Sequence, residues 1–128
     1  WSKYFTVDIL DSEAEEVLEA SEKYSYEGVC SEWYSLVSQY DWNVEEALAI
    51  MRAESSCNPY SFNDTLNYDG SWDAGLFQVN SIHGKDKNWL MIPENNVQEA
   101  YNIYLRAGRS WTPWSVYNNG RYLQFLSK

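Results

Sequence analysis

The sequence predicts an α+β fold: mostly α-helical, with a small antiparallel β-hairpin lobe. Three observations predict it. Apolar residues recur at helical spacing in 31–40 and 96–107 and cluster in the stretch between Asn43 and Asn58. A polar stretch at 58–75 carries an Asp69-Gly70 turn signal. The length, 128 residues, suits one core, and 45% apolar residues can fill it.

The first element is acidic. Within 6–23, Val7, Ile9, Leu10, Val17 and Leu18 stand among many acids, and Ser12 with Glu15 forms a capping-box pattern. A short helix is expected at about 12–23, as a tether or packed on the domain. The division read from this is 1–27 as an acidic N-terminal segment and 28–128 as the domain proper.

Trp33, Leu36, Val37 and Tyr40 make 31–40 an amphipathic helix. Asp41 and Asn43 punctuate it. Asn43 can cap a second helix, with Glu45 and Glu46 at its positive end. Ala47, Leu48, Ile50, Met51 and Ala53 make that helix apolar on most sides, so it should be central, and Asn58-Pro59 ends it. An antiparallel pair of these helices brings the start of one to the end of the other. Cys30 and Cys57 sit at those ends, so a disulfide is expected there; two free buried thiols are the alternative.

Between Leu66/Tyr68 and Trp72, Asp69-Gly70 predicts the turn of a small sheet. Leu76, Phe77 and Val79 read as a short buried segment, and His83-Gly84 with Asp86–Asn88 as loop. Pro93 and Asn95/Asn96 precede a helix at about 96–107. Val97, Ala100, Tyr101, Tyr104 and Leu105 form its apolar face, and Gly108 stops it. Trp111, Trp114, Val116 and Tyr117 form an aromatic stretch. Asn119-Gly120 breaks the chain before Tyr122-Leu123 and Phe125-Leu126. No repeat or low-complexity tract is visible.

Nine basic against nineteen acidic side chains give a net charge of −10. That argues against nucleic acid and anionic lipid as partners, since both need clustered cations. No apolar run approaches the ~20 residues of a membrane span. The chain opens at Trp1 without Met or a signal-peptide pattern, as a processed or trimmed fragment would. Seven Trp and eleven Tyr suit a bulky core, or a groove in which aromatic faces cover sugar rings.

Glu54 breaks the local pattern. It lies near the C-terminal end of an apolar helix, where the dipole and lost hydration both raise a carboxyl pKa. A carboxyl kept protonated near neutral pH can donate a proton to a leaving oxygen. The structural alternative is an exposed Glu paired with Arg52 or capping a loop. Asp64, Asp69 and Asp73 lie in the polar hairpin, where water and backbone N–H groups favour the ionised form. A protonated Glu facing an ionised Asp is what glycoside hydrolysis requires. Each Asp can equally be a turn residue, Asp69 above all.

The stretch Asn67-Tyr-Asp69-Gly-Ser-Trp-Asp73-Ala-Gly75-Leu-Phe-Gln78-Val-Asn80-Ser81 resembles, without a gap, the active-site hairpin of c-type lysozymes. Ala53-Glu54-Ser55 resembles that family's helix end, and Trp114 after Gly108 its tryptophan beside the catalytic Glu. The likeness covers about 43–117, more loosely outside 54–81. It implies a lysozyme-like fold, Glu54 as general acid, and Asp73 as nucleophile or electrostatic stabiliser. Ser55, Asn67, Asp69, Gln78, Asn80, Trp114 and Tyr117 become substrate-binding candidates, with Trp114 as the apolar wall raising the Glu54 pKa. The implied partner is a peptidoglycan glycan strand or a chitooligosaccharide.

A second resemblance is to soluble lytic transglycosylases. It rests on Ala47–Ser55, Gly75-Leu-Phe-Gln78, the Asn96-Val97…Tyr104-Leu105 pattern and Tyr117-Asn-Asn-Gly120. That family cuts the same bond with a lone Glu and forms an anhydro sugar; it generally lacks an aspartate at the place of Asp73, which favours hydrolysis. A catalytically silent glycan-binding domain is the alternative from another class.

The chain departs from c-type lysozymes in its acidity, its single cysteine pair and a connection from Glu54 to Asn67 about two residues longer. Ile82-His83 stands where that family has a Trp pair. His83 is either a sugar contact or a plain loop residue. One His and two cysteines make no zinc site, no Gly-rich phosphate loop occurs, and no nucleophile elbow supports a triad through His83. Asp64, Asp69 and Asp73 lack the spacing of a calcium loop. No metal or cofactor is expected. The expected protein is a monomer that is secreted, extracellular or attached to a cell wall.

Overall fold

The computed structural model describes residues 27–65 and 67–126. The expected helix at 12–23 and Leu66 lie outside the described residues, as does the N-terminal segment up to residue 26. The chain runs through a 3-10 turn at Ser31–Trp33 and then α1 (Tyr34–Val37), α2 (Val44–Ser55), β1 (Phe62–Asn63), β2 (Asp73–Ala74) and β3 (Val79–Asn80). After a second 3-10 turn at Ser81–His83 come α3 (Lys87–Leu90), α4 (Pro93–Arg106), α5 (Ser115–Asn118) and a last 3-10 segment, Arg121–Phe125. The mostly helical α+β fold predicted from the sequence is the one observed.

Helix α2 is central, as its composition predicts. Asn43 caps it by accepting from the Glu46 N–H at 2.9 Å, and Ala47 through Met51 are fully buried. The expected helix over 31–40 is cut short. The Trp42 indole donates to the Val37 carbonyl at 2.9 Å, so a side chain satisfies a group that a longer helix would bond internally.

The sheet is three-stranded and antiparallel in the order β1-β2-β3. Asp69-Gly70 lies in the long β1–β2 connection, several residues from the ladder it was expected to join directly. Asp73 sits on the middle strand, paired with Asn63 on one side and Asn80 on the other. The stretch read as loop after His83 contains α3. Asp86 caps it, accepting from the N–H groups of Asn88 (2.9 Å) and Trp89 (3.3 Å). Helix α4 starts earlier than expected because Pro93 occupies its first turn. Leu105, expected on its apolar face, is exposed.

Asn96 joins α4 to the sheet. It is fully buried. Its Oδ1 accepts from the Phe77 N–H at 2.8 Å. Its Nδ2 donates to the Ala74 carbonyl at 2.8 Å and the Leu90 carbonyl at 2.9 Å. Gly75, with φ +84°, leaves room for that amide: a Cβ there would collide with Asn96 Nδ2 and lie 2.5 Å from the Leu90 carbonyl oxygen. The core is heavily aromatic, with Trp42 stacked on Trp111 at 5.1 Å between ring centroids.

Candidate active site

Glu54 stands in the last turn of α2. The chain leaves that helix through two consecutive left-handed residues, Ser56 (φ 55°) and Cys57 (φ 67°). Cys57 is bridged to Cys30 with Cα atoms 5.5 Å apart, as the ends of the helix pair predict. The Trp33 indole donates to the Cys57 carbonyl at 2.9 Å. The exit from the helix bearing Glu54 is therefore fixed by a covalent bond and a hydrogen bond. Arg52 does not pair with Glu54; its guanidinium lies over the Phe125 ring, 5.1 Å from the centroid.

A cleft of about 340 Å³ separates α2 from the sheet and the 113–115 segment. It brings together Glu54, Asn67, Asp73, Gln78, Asn80, His83 and Trp114, all named from the sequence. Ile82, Ile103, Pro113 and Ser115 complete the wall together with Val79. Three expected residues lie elsewhere. Ser55 is buried, and its hydroxyl donates to the Met51 carbonyl at 3.2 Å. Tyr117 stacks on Tyr122 at 5.1 Å. Asp69 is exposed at the hairpin tip and lines a second, open depression with Asn67, Tyr68, Ser71 and Asn80.

The electrostatics of the cleft centre on Glu54. Its pKa is pushed up to about 8, first by burial and then by the negative charge of Asp73, against an opposing pull from Arg121. Trp114 contributes apolar wall; it is buried, and its indole donates to the Phe77 carbonyl at 2.9 Å. Asp73 receives one amide N–H on each oxygen: Asn67 Nδ2 to Oδ2 and Asn80 Nδ2 to Oδ1, both at 2.9 Å. The donors are side-chain amides, not the backbone N–H groups expected from the sequence. Asn67 also donates to the Ser71 carbonyl, and Asn80 to the Ser71 hydroxyl. Both asparagines are thus built to aim the aspartate.

Gln78 has a structural task beside its place in the cleft wall. At φ 49° it donates through Nε2 to the carbonyls of Ser61 (2.9 Å) and Gly75 (3.0 Å), tying the β2–β3 turn to β1. His83 has its pKa lowered, by burial and then by the Arg106 cation, with Glu99 pulling the other way. Glu99 itself is buried and paired with Arg106 at 3.5 Å. Among the described residues no group of three or more His, Cys, Asp or Glu side chains is placed to hold a metal.

The sequence singles out Asn96 only as part of a helix-start pattern and gives no role to Arg121. Gly120, at φ 79°, turns the chain so that Arg121 begins a segment packed on α2; only that return brings its charge to Glu54. Asn96 reads in the sequence as one of two helix-start asparagines, and its burial follows from where the hairpin docks.

A family model described as a lysozyme-like domain matches residues 38–116. The chain belongs to that family. Membership supports action on peptidoglycan, as a lysozyme or a transglycosylase. Among solved structures, the crystal structure of lysozyme from Equus asinus aligns with a TM-score of 0.51 at 20% identity, covering 91% of this chain and 88% of that one. At that identity the likeness concerns the fold. No curated protein matches the sequence.

Proposed function

We propose that the protein is a muramidase that hydrolyses the β-1,4 bond between N-acetylmuramic acid and N-acetylglucosamine. One observation carries the reading. A half-buried carboxyl with a pKa of about 8, Glu54, shares a cleft with Asp73, whose charge helps hold that proton. At neutral pH Glu54 is a proton donor. It protonates the glycosidic oxygen as the C1–O bond breaks. Asp73, its two oxygens aimed by Asn67 and Asn80, stabilises or attacks the developing sugar cation. Water then adds at C1 and returns a proton to Glu54.

The presence of Asp73 in the cleft favours hydrolysis over transglycosylation, which would use Glu54 alone. Product mass tests this: muropeptides with reducing ends are expected, and anhydro products from purified cell walls would replace the hydrolytic reading with the transglycosylase one. Glu54→Gln tests catalysis as such. Binding to cell walls should persist and lysis should fall by about 10²–10⁴-fold, the typical contribution of a general acid. A wild-type protein that binds walls and never cleaves them would make this a glycan-binding domain.

The bridged cysteine pair suits an oxidising compartment, and the proposed substrate lies outside the cytoplasm, so we place the protein extracellularly, secreted or at a cell wall. Among the described residues no helix is long and apolar enough to cross a membrane.

A further inference from the structure

Helix α4 carries a charged pair on the face that it turns to the cleft. Glu99, Ile103 and Arg106 follow one another at helical spacing, so they form one stripe along the helix. Ile103 lines the cleft. Arg106 ends the helix one turn further on, at the cleft rim. Glu99 lies one turn back, with its side chain only 6% exposed.

A carboxylate buried there is costly unless a cation faces it. Arg106 supplies the cation: its Nη2 stands 3.5 Å from Glu99 Oε2, while its own side chain stays 60% exposed. The buried carboxylate thus holds the guanidinium in one place without covering it. A cation that served only the helix dipole would need no buried partner. A guanidinium carries more N–H donors than this single contact uses, in a planar fork that matches a second carboxylate.

The pair presents its positive end to the cleft. At His83, a cleft residue, the Arg106 cation acts more strongly than the Glu99 anion. The chain as a whole carries a net charge of −10, so it repels a substrate that bears carboxylates. A fixed cation at the rim gives such a group one place to be held.

We propose that Arg106, held by Glu99, binds a carboxylate carried by the glycan strand, either the lactyl carboxylate of a bare muramic ring or a carboxylate of its stem peptide. The protein then reads the charged substituents of its substrate as well as its sugars. The proposal rests on the glycan-cleaving reading of the cleft and adds which substituent of that glycan is recognised.

The probes are soluble glycan strands stripped of stem peptides and strands that keep them, each with its carboxylates free or converted to neutral amides. The readout is kcat/KM on the free form relative to the amidated form of the same strand. Arg106→Gln should lower that ratio by about threefold to tenfold, between the worth of an exposed ion pair and that of a buried charged hydrogen bond. Glu99→Gln/Arg106→Gln strands no buried carboxylate, so it should show the same loss even where the single variant folds poorly. Arg109→Gln, at an arginine paired with Asp41, removes an equal charge and should keep the wild-type ratio. A loss on stripped strands alone assigns the lactyl carboxylate, and a loss on peptide-bearing strands alone assigns the stem peptide; a loss on both makes either group a ligand. A ratio no lower in the Arg106 variants than in Arg109→Gln, on both strands, overturns the proposal while leaving the catalytic reading intact. If wild type cleaves neither strand, the catalytic reading fails, and calorimetric affinity for the same strands decides instead. A preference for the free form that is weaker in the double variant than in Arg109→Gln supports the site; equal preference, or no binding by wild type, overturns it.

Discussion

The charge of Asp73 helps to keep the Glu54 carboxyl protonated, second only to burial as a cause. Asp73→Asn removes that charge and keeps the shape. The Glu54 titration should then move down from about 8, yet stay above its ordinary 4.5, because burial is untouched. Carboxyl-carbon NMR across pH measures it. A midpoint identical in variant and wild type would mean that the two carboxyls do not communicate.

The same proton couples to stability. Glu54 has a folded pKa above its unfolded one, so between about 4.5 and about 8 the folded state binds more protons than the unfolded state. The stabilisation is complete below about 4.5 and is lost as pH climbs to about 8. Glu54→Gln is neutral throughout and should gain in melting temperature relative to wild type from pH 5 to pH 8, with the difference levelling off above. A Tm difference that does not change with pH would contradict the assigned burial of this group.

The asparagines that aim Asp73 should matter to chemistry more than to folding. Each donates one bond to a carboxylate in a half-buried site. Such a bond is worth about 1.5–3 kcal/mol, so Asn67→Ala or Asn80→Ala should lower kcat roughly tenfold to a hundredfold. KM should change little if Asp73 acts mainly in the transition state. A pure KM effect would assign the asparagines to sugar binding.

The parts of this site that were legible in the sequence are those held by neighbours along the chain. Asn43, Glu54 and Cys57 follow from one helix and its ends, and Asn67 through Asn80 from one hairpin whose residues serve each other. The role of Arg121 and the hairpin contacts of Asn96 were not legible, since each forms only when distant segments dock. The shortened helix at 34–37 failed for the same reason: the indole of Trp42 competes for its carbonyl, and a periodic pattern carries no sign of that. Ser55 and Tyr117 were carried by motif resemblance, and packing gives both other partners.

The disulfide should contribute both stability and alignment. Cys30 and Cys57 are 27 residues apart, and a loop of that size corresponds to about 3.5 kcal/mol in the chain-entropy account. A Cys30→Ser/Cys57→Ser double variant should lose about that much in urea unfolding. Because Cys57 lies three residues past Glu54, activity at a temperature where the variant is still folded should also fall. Unchanged activity in the folded variant would limit the bridge to a stabilising role.

Gly75 and Asn96 should behave as one unit. In Gly75→Ala the new Cβ meets both the Asn96 amide and the Leu90 carbonyl, at a φ of +84° that alanine disfavours. Asn96→Ala strands the Phe77 N–H and two carbonyls, those of Ala74 and Leu90, at a cost of about 1–3 kcal/mol for each group left without water. Each single variant should therefore lose several kcal/mol in denaturant unfolding. The double variant should lose less than their sum, because removing the Asn96 amide also removes the nearest obstacle to the new methyl. The residual contact with the Leu90 carbonyl and the strained φ remain, so the cost of Gly75→Ala should shrink without vanishing. Strict additivity would show that the hairpin turn and α4 are not locked by this amide. The hold of the fold on Asp73 would then have to come from the strand ladder alone.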